Sequence, residues 1–319
     1  MTGPDRFDGA GDSEHGSVDP GGGAPPGALT MWIAGARPRT LPAAMVPVMV
    51  GTAAAVGEGV EDPTSWWRAG AALVVAVALQ VGVNFANDYS DGVRGTDDAR
   101  RVGPLRLVGS GLVAAALVKR AATVAFGVAG AVGRGLAAGV GGQLLIVGAA
   151  ALVAGWTYTG GPRPYGYLGL GELFVFVFFG VVATVGTTYV LVERVVWLSV
   201  SCSVAVGLWA TALLVTNNLR DIAGDAAAGK RTLAVRIGDR ATRLMYVAIL
   251  VVSFAVAAGV AAARPGALLA LAGAPLAVTA AREVKGGAAG PDLVAVLELT
   301  GRMQLLAGFG FAVGLAVSA

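Results

Sequence analysis

Charge is scarce in this chain. Of its 319 residues only 13% are Asp, Glu, Lys or Arg, while 55% are hydrophobic; a soluble domain carries about a quarter charged residues. That balance excludes an ordinary soluble fold and points to an integral membrane protein. A single cysteine, Cys202, excludes an intramolecular disulfide and any multi-cysteine metal site. It lies inside an apolar run and reads as a small packing residue. The one histidine, His15, falls in an N-terminal stretch of Gly, Pro, Asp and Ser, so histidine-based catalysis is not expected. The net charge is +3, but the basic residues sit between apolar runs rather than on a soluble surface, and no nucleic-acid partner is implied.

What is abundant is apolar length and glycine, which occurs 49 times. Small residues let membrane helices approach closely. Residues 1–30 read as a disordered tail, without the apolar stretch of a signal peptide. Residues 31–319 read as one membrane domain. A spanning helix needs roughly 17–25 apolar residues, and the runs at 41–58, 69–88, 117–138, 142–161, 169–192, 195–219, 244–263, 265–281 and 301–319 predict nine. Lys and Arg concentrate on the cytoplasmic side of membrane proteins. With nine spans, all of the 23 basic residues except Arg68, Arg134, Arg194 and Arg264 fall on the side that holds the N-terminus. The expectation is an all-α bundle with a cytoplasmic N-terminus.

Two acidic clusters break the apolar pattern, and both end a span on that cytoplasmic side. The first is "NFANDYSDGVRGTDD" at 84–98; the second is "TNNLRDIAGDAAAGKRTLAVRIGDR" at 216–240. Asn84, Asn87, Asp88 and Asp91 follow i, i+3, i+4, i+7, one helical face, and Gln80 extends it by a turn. Asn217, Asp221 and Asp225 repeat every four residues. Gly92 is expected to begin a loop that carries Arg94 and Asp97. Carboxylate and amide oxygens without His or Cys suit a hard cation such as Mg²⁺, which completes its shell with water and phosphate. Paired acidic clusters beside Arg94, Arg100, Arg101, Lys230 and Arg231 therefore read as a diphosphate site. Polar residues at membrane depth are costly and are functional candidates.

These residues resemble the UbiA superfamily of membrane prenyltransferases. "NDYSD" at 87–91 matches the N-D-x-x-D core of that family's first aspartate-rich motif, and "DIAGD" at 221–225 its second, D-x-x-x-D. The family's further aspartate in the first motif is replaced here by Gly95, followed by Asp97. "RPRTLP" at 37–42, "GPLRLVGSG" at 103–111, "YTGGPRPYGYLGLGE" at 158–172 and the run at 217–238 are similar to the naphthoquinone-forming branch. The likeness covers roughly residues 33–319.

The resemblance implies a nine-helix bundle around a central cavity, with both motifs at its cytoplasmic mouth in the cell membrane, and Mg²⁺ as cofactor. It implies polyprenyl diphosphate as donor and 1,4-dihydroxy-2-naphthoate as acceptor, with membrane lipid around the protein. The prenyl group would replace the carboxylate, and loss of CO₂ would restore aromaticity without a histidine base. Asn87, Asp88, Asp91, Asp221 and Asp225 are then expected to bind metal and diphosphate. Asn84, Asp97 and Asn217 would assist, and Lys230 and Arg37 would meet the diphosphate. Arg163 is a candidate for the acceptor carboxylate. Phe85, Tyr89, Trp156, Tyr158 and Tyr189 are candidates to face a developing cation. Glu172 could accept a proton or pair with Arg163. The rival readings are a related prenyltransferase with another acceptor, a CDP-alcohol phosphotransferase and an ion-coupled transporter.

Overall fold

The structure, a computed structural model, describes residues 27–60, 63–95 and 105–319. Its described residues form eleven α-helices and no strands: α1 (Ala28–Ala36), α2 (Pro42–Ala55), α3 (Trp67–Arg94), α4 (Ala115–Val140), α5 (Gln143–Thr157), α6 (Gly171–Val175), α7 (Ala183–Val192), α8 (Trp197–Ala227), α9 (Leu233–Gly259), α10 (Ala274–Lys285) and α11 (Pro291–Val317). A π-helical stretch, Phe176–Val182, joins α6 to α7, and a 3-10 stretch, Pro265–Gly273, leads into α10. α1 begins inside the segment expected as a tail; residues 1–26 of that segment lie outside the described residues.

Seven helical runs are long and apolar enough to cross a membrane. The expected spans at 41–58 and 142–161 are the apolar helices α2 and α5, of 14 and 15 residues. At 1.5 Å per residue these reach about 21–23 Å, against a hydrocarbon core of about 30 Å. The outer faces of the bundle are apolar, with Ile146, Val251 and Phe309 all exposed. Trp66, Trp67 and Trp197 are exposed where α3 and α8 begin, as in an interfacial aromatic belt.

α3 and α8 outrun their expected boundaries, and Asn84–Asp91 and Asn217–Asp225 lie on helix, as their spacing led one to expect. Gly92 does not start a loop. It lets Val108 pack against α3, because a Cβ there would lie 2.5 Å from Val108 Cγ1. The helix stops at Gly95, whose φ of 68° is the left-handed conformation that glycine adopts without strain.

α8 runs through the centre of the bundle. Its Trp209 packs edge-on to Phe311 of α11 and beside Phe254 of α9. Tyr246 of α9 hydrogen-bonds to Thr300 of α11 at 2.7 Å. Glycine seams bring backbones together around this core. A Cβ on Gly180 would stand 2.4 Å from Gly207 Cα, and one on Gly314 only 1.8 Å from the carbonyl oxygen of Gly266. At the end of the bundle away from the acidic clusters, Arg68 pairs with Glu193, and Arg194 and Arg264 both reach Glu58.

The Gly266–Gly314 seam gives a direct stability test. Gly314→Ala forces α11 off the 3-10 stretch and is expected to cost about 1–3 kcal/mol, an overpacking penalty. Gly127→Ala, where the added Cβ meets nothing within 4 Å, is the control. Thermal unfolding in detergent should lower the midpoint of the first variant and leave the second within a degree or two; equal midpoints would contradict the seam.

Candidate active site

Both acidic stripes turn inward at the same end of the bundle. Gln80, Asn84, Asn87, Asp88 and Asp91 on α3 are buried, as are Asn218, Asp221 and Asp225 on α8. Charges buried in apolar surroundings must be compensated, and each acid has its own arrangement.

Asp91 carries the link between the two clusters. Its Oδ1 accepts from the Tyr167 hydroxyl at 2.6 Å, and its Oδ2 meets the Lys230 ammonium at 3.0 Å. The same ammonium stands 4.0 Å from Asp225 Oδ1 and 4.9 Å from the centre of the Tyr167 ring. Burial disfavours the charge on Lys230, but Asp91, Tyr167 and Asp225 outweigh it and hold the ammonium above its ordinary pKa. Lys230 is set by a turn after α8, where its N–H donates to the Asp225 carbonyl at 2.8 Å.

The other acids are held differently. Asp88 accepts the N–H groups of Leu107 and Val108 at 2.8 and 3.0 Å, so it anchors the segment that presents Arg106. Asp221 receives the guanidinium of Arg220 on both oxygens, each at 2.8 Å, and Arg220 also donates to Asn217 Oδ1 at 2.6 Å. Asn87 accepts from Thr159 at 2.7 Å. Asn84 donates to the Ala36 carbonyl and to Thr40, fixing the corner at Arg37 rather than reaching for a ligand. Arg37 itself has a φ of 54°, a strained conformation for a residue with a side chain.

A small polar pocket gathers Arg37, Asn87, Asp91, Arg106, Asn217, Asn218, Asp221, Asp225 and Lys230. Behind it lies a largely apolar cavity of about 700 Å³ between α3, α4, α5 and the 175–190 region. Arg37, Asn87, Tyr158 and Asn217 line both and form the throat between them. From the throat an aromatic ladder descends: Tyr158 lies 5.5 Å from Tyr165, Tyr165 stacks on Phe174 at 3.9 Å, and Phe174 on Phe178 at 6.0 Å.

Some expected residues stand elsewhere. Arg94, expected at the phosphate, donates to the carbonyls of Thr159 and Gly161, because α3 carries it past the pocket. Arg163, the candidate for the acceptor carboxylate, is exposed and lines neither compartment. Glu172 does not pair with it; its Oε1 accepts from Asn218 at 2.9 Å. Asp88 is not on the pocket wall. Phe85 packs on Trp32, Tyr89 on Trp156, and Tyr189 on Gln143, so of the five aromatic candidates only Tyr158 faces the cavity. Asp97, Arg100 and Arg101 lie outside the described residues. Arg106, Arg220, Tyr167 and the ladder beyond Tyr158 were not singled out from sequence. Arg106 and Arg220 lay within quoted segments, and for Arg220 its place directly before Asp221 was the available signal.

Among the described residues no three of His, Cys, Asp and Glu gather closely enough to hold a metal ion by themselves. Mg²⁺ does not need that, since it takes one or two carboxylates and fills its shell with water and phosphate oxygens. The oxygen donors Asn87, Asp91, Asp221 and Asp225 fit it, and a cation, the Lys230 ammonium, already stands between Asp91 and Asp225.

Residues 44–288 match the UbiA prenyltransferase family. A protein of Mycobacterium tuberculosis named 1,4-dihydroxy-2-naphthoate octaprenyltransferase is 48% identical over 278 residues, covering 87% of this chain and 94% of that one. One of the same name from Escherichia coli is 40% identical, covering 69% and 72%. The fold is shared with a solved UbiA homolog from Aeropyrum pernix, with a TM-score of 0.64 at 17% identity over 86% of this chain and 96% of that one. It is also shared with a homolog from Archaeoglobus fulgidus bound to DMAPP and Mg²⁺, with a TM-score of 0.60 at 14% identity over 91% and 100%. The phosphotransferase and transporter readings fall away: this chain belongs to the UbiA prenyltransferase family.

Proposed function

We propose that this protein is a Mg²⁺-dependent prenyltransferase. It moves a polyprenyl group from polyprenyl diphosphate to 1,4-dihydroxy-2-naphthoate, releases CO₂ and diphosphate, and gives demethylmenaquinol. The observation that carries this reading is the junction of two unlike compartments. A polar pocket holding Asp91, Asp221, Asp225 and Lys230 opens through a throat into a long apolar cavity. A polyprenyl diphosphate is divided in the same way, into a charged head and an isoprenoid tail. The names borne by the relatives support the naphthoate acceptor.

The residues then take the following parts. Lys230, Arg37 and Arg106 face the pocket and bind the diphosphate as it leaves. Bound by Asn87, Asp91, Asp221 and Asp225, Mg²⁺ would supply Lewis acidity toward the leaving group. Arg220 holds Asp221, and Asp88 holds the backbone next to Arg106. Tyr158, Tyr165 and Phe174 line the path where positive charge grows on the allylic carbon, and ring faces stabilise such charge. Burial pushes the Tyr165 hydroxyl above its ordinary pKa, so it stays neutral. The apolar lining excludes the water that would quench a cation.

In this reading the chain crosses the cell membrane nine times, α2 and α5 completing the seven longer runs. The bias of Lys and Arg puts the pocket on the cytoplasmic side. Cys202 is buried, so single introduced cysteines report sidedness cleanly. Ser110→Cys, at the pocket end, should react with an impermeant maleimide only in inside-out vesicles, and Val195→Cys only in right-side-out vesicles. The reverse pattern would invert the topology.

Purified protein given geranyl diphosphate, 1,4-dihydroxy-2-naphthoate and MgCl₂ should yield the decarboxylated prenyl product by mass spectrometry, and EDTA should abolish it. A product that retains the carboxylate, or turnover without divalent metal, would contradict the reading. Asp91→Asn should lower turnover by more than about 100-fold with expression retained, since it removes the partner of Lys230. Arg220→Ala removes the guanidinium that donates to both oxygens of Asp221. It should raise the Mg²⁺ concentration for half-maximal turnover about tenfold, with Arg220→Lys intermediate; wild-type Mg²⁺ dependence in Arg220→Ala would remove Arg220 from the site.

A further inference from the structure

Thr40, Gln80 and Asn84 put polar groups on the wall of the apolar cavity, which the tail of a prenyl donor does not require. They form one hydrogen-bonded cluster. Thr40 Oγ1 donates to the Arg37 carbonyl at 2.9 Å. It accepts from Gln80 Nε2 and from Asn84 Nδ2, each at 3.0 Å. Asn84 Nδ2 also donates to the Ala36 carbonyl at 2.8 Å, and Asn84 Oδ1 accepts from Gln80 Nε2 at 3.3 Å.

Every hydrogen in the cluster is spent. A hydroxyl has one to give and an amide nitrogen two, and the five meet five acceptors. Thr40 gives its hydrogen to Arg37, so toward Gln80 it can only accept. That fixes which end of the Gln80 amide is nitrogen. The group left over is Gln80 Oε1, which meets no donor among the described residues. Gln80 is only 7% exposed and lines the cavity. Its nitrogen is turned to Thr40 and Asn84, so the surface it keeps belongs to the oxygen. A buried acceptor on this wall calls for a ligand with a hydrogen to give. An isoprenoid tail has none, and a diphosphate accepts. The aromatic acceptor carries two ring hydroxyls. The one beside its carboxylate bonds to it internally, and the one on C4 is free to donate. The Gln80 amide is two hydrogen bonds from the backbone of Arg37, a throat residue. A ring held there lies beside the throat, where it has to meet the first carbon of the prenyl chain.

We propose that Gln80 Oε1 accepts a hydrogen bond from the C4 hydroxyl of the aromatic acceptor and selects acceptors that carry it. This rests on the prenyltransferase reading above. No proton is transferred. The hydrogen bond orients the ring, and an acceptor without the hydroxyl leaves the Gln80 oxygen unpaired in an apolar cavity, which is how such a site rejects a near-isostere. The same cluster holds the carbonyls on either side of Arg37, so the acceptor is registered against a residue that also faces the diphosphate pocket.

The test compares two ligands on the full-length protein in detergent with MgCl₂: 1,4-dihydroxy-2-naphthoate, and 1-hydroxy-2-naphthoate, which lacks the C4 hydroxyl. Titration calorimetry gives Kd for each. The wild type should bind the first about tenfold more tightly, the worth of one buried hydrogen bond. Gln80→Leu keeps the size of the side chain but removes the oxygen, together with the bonds to Thr40 and Asn84. It should bind the two ligands equally, with Kd for 1-hydroxy-2-naphthoate and KM for geranyl diphosphate within about twofold of wild type. Gln80→Met, a second replacement without an acceptor, should behave alike and carries the test if the Leu variant does not fold. A wild type without the preference, a preference retained in the variants, or an equal loss for both ligands would overturn the role of Gln80 while leaving the function standing. An equal loss would mean that Gln80 acts only by bracing Thr40 and Arg37. A wild-type protein that neither binds nor prenylates 1,4-dihydroxy-2-naphthoate would overturn both.

Discussion

The ion pair between Asp91 and Lys230, 3.0 Å long and buried, ties the functional end of this molecule together. Taking an acid out of water costs several kcal/mol unless a partner compensates. Here five acids are buried at one end of an apolar bundle, and the compensations are shared out among segments far apart in sequence. Asp91 on α3 reaches a lysine beyond α8 and a tyrosine between α5 and α6. Asp88 reaches the backbone before α4. The charges proposed to meet the diphosphate also hold the pocket's walls, so the site cannot be assembled piecemeal.

The rest of the bundle divides into a tight part and a spacious part. α8, α9 and α11 interlock through Trp209, Phe254, Phe311 and the Tyr246–Thr300 hydrogen bond, and glycine seams remove the gap between backbones. α3, α4 and α5 stand off across the cavity and line it with small and aliphatic residues such as Gly130, Gly133, Leu79 and Leu152. At the far end, Glu193 takes Arg68 of α3, and Glu58 takes Arg194 and Arg264 from the connections after α7 and α9. The molecule is thus pinned by charge at both ends and by backbone contact along one side, leaving an apolar hollow along the other.

Much of this was legible in the sequence because it depends on periodicity. Apolar runs located the helices, and i, i+3, i+4 spacing put Asn87, Asp88 and Asp91 on one buried face. What escaped was geometry that has no period. Nothing in the spacing says that Asp88 serves backbone N–H groups while Asp91, three residues on, meets a lysine. Gly92 looks like a helix stop, and only the packing of Val108 shows why the helix continues to Gly95. That extension is what moved Arg94 off the pocket. Arg163 is exposed, and a basic residue in a loop beside the site looks the same in sequence whether it faces the pocket or water. The ladder from Tyr165 to Phe178 was invisible because it joins a loop to a helix.

The throat has a consequence for turnover. Under the proposed reaction the isoprenoid tail occupies the same apolar cavity before and after transfer. Its burial therefore favours donor, transition state and product alike, which strengthens binding without speeding the chemical step. Only the head changes its company, from the charged pocket of Asp91, Arg106 and Lys230 to an uncharged quinol ring. Discrimination between fresh donor and spent product then falls on a few polar side chains at one end. A longer tail would slow product release as much as it aids capture, so the lipid that holds the substrate in place also sets how long the enzyme must wait to be free of it.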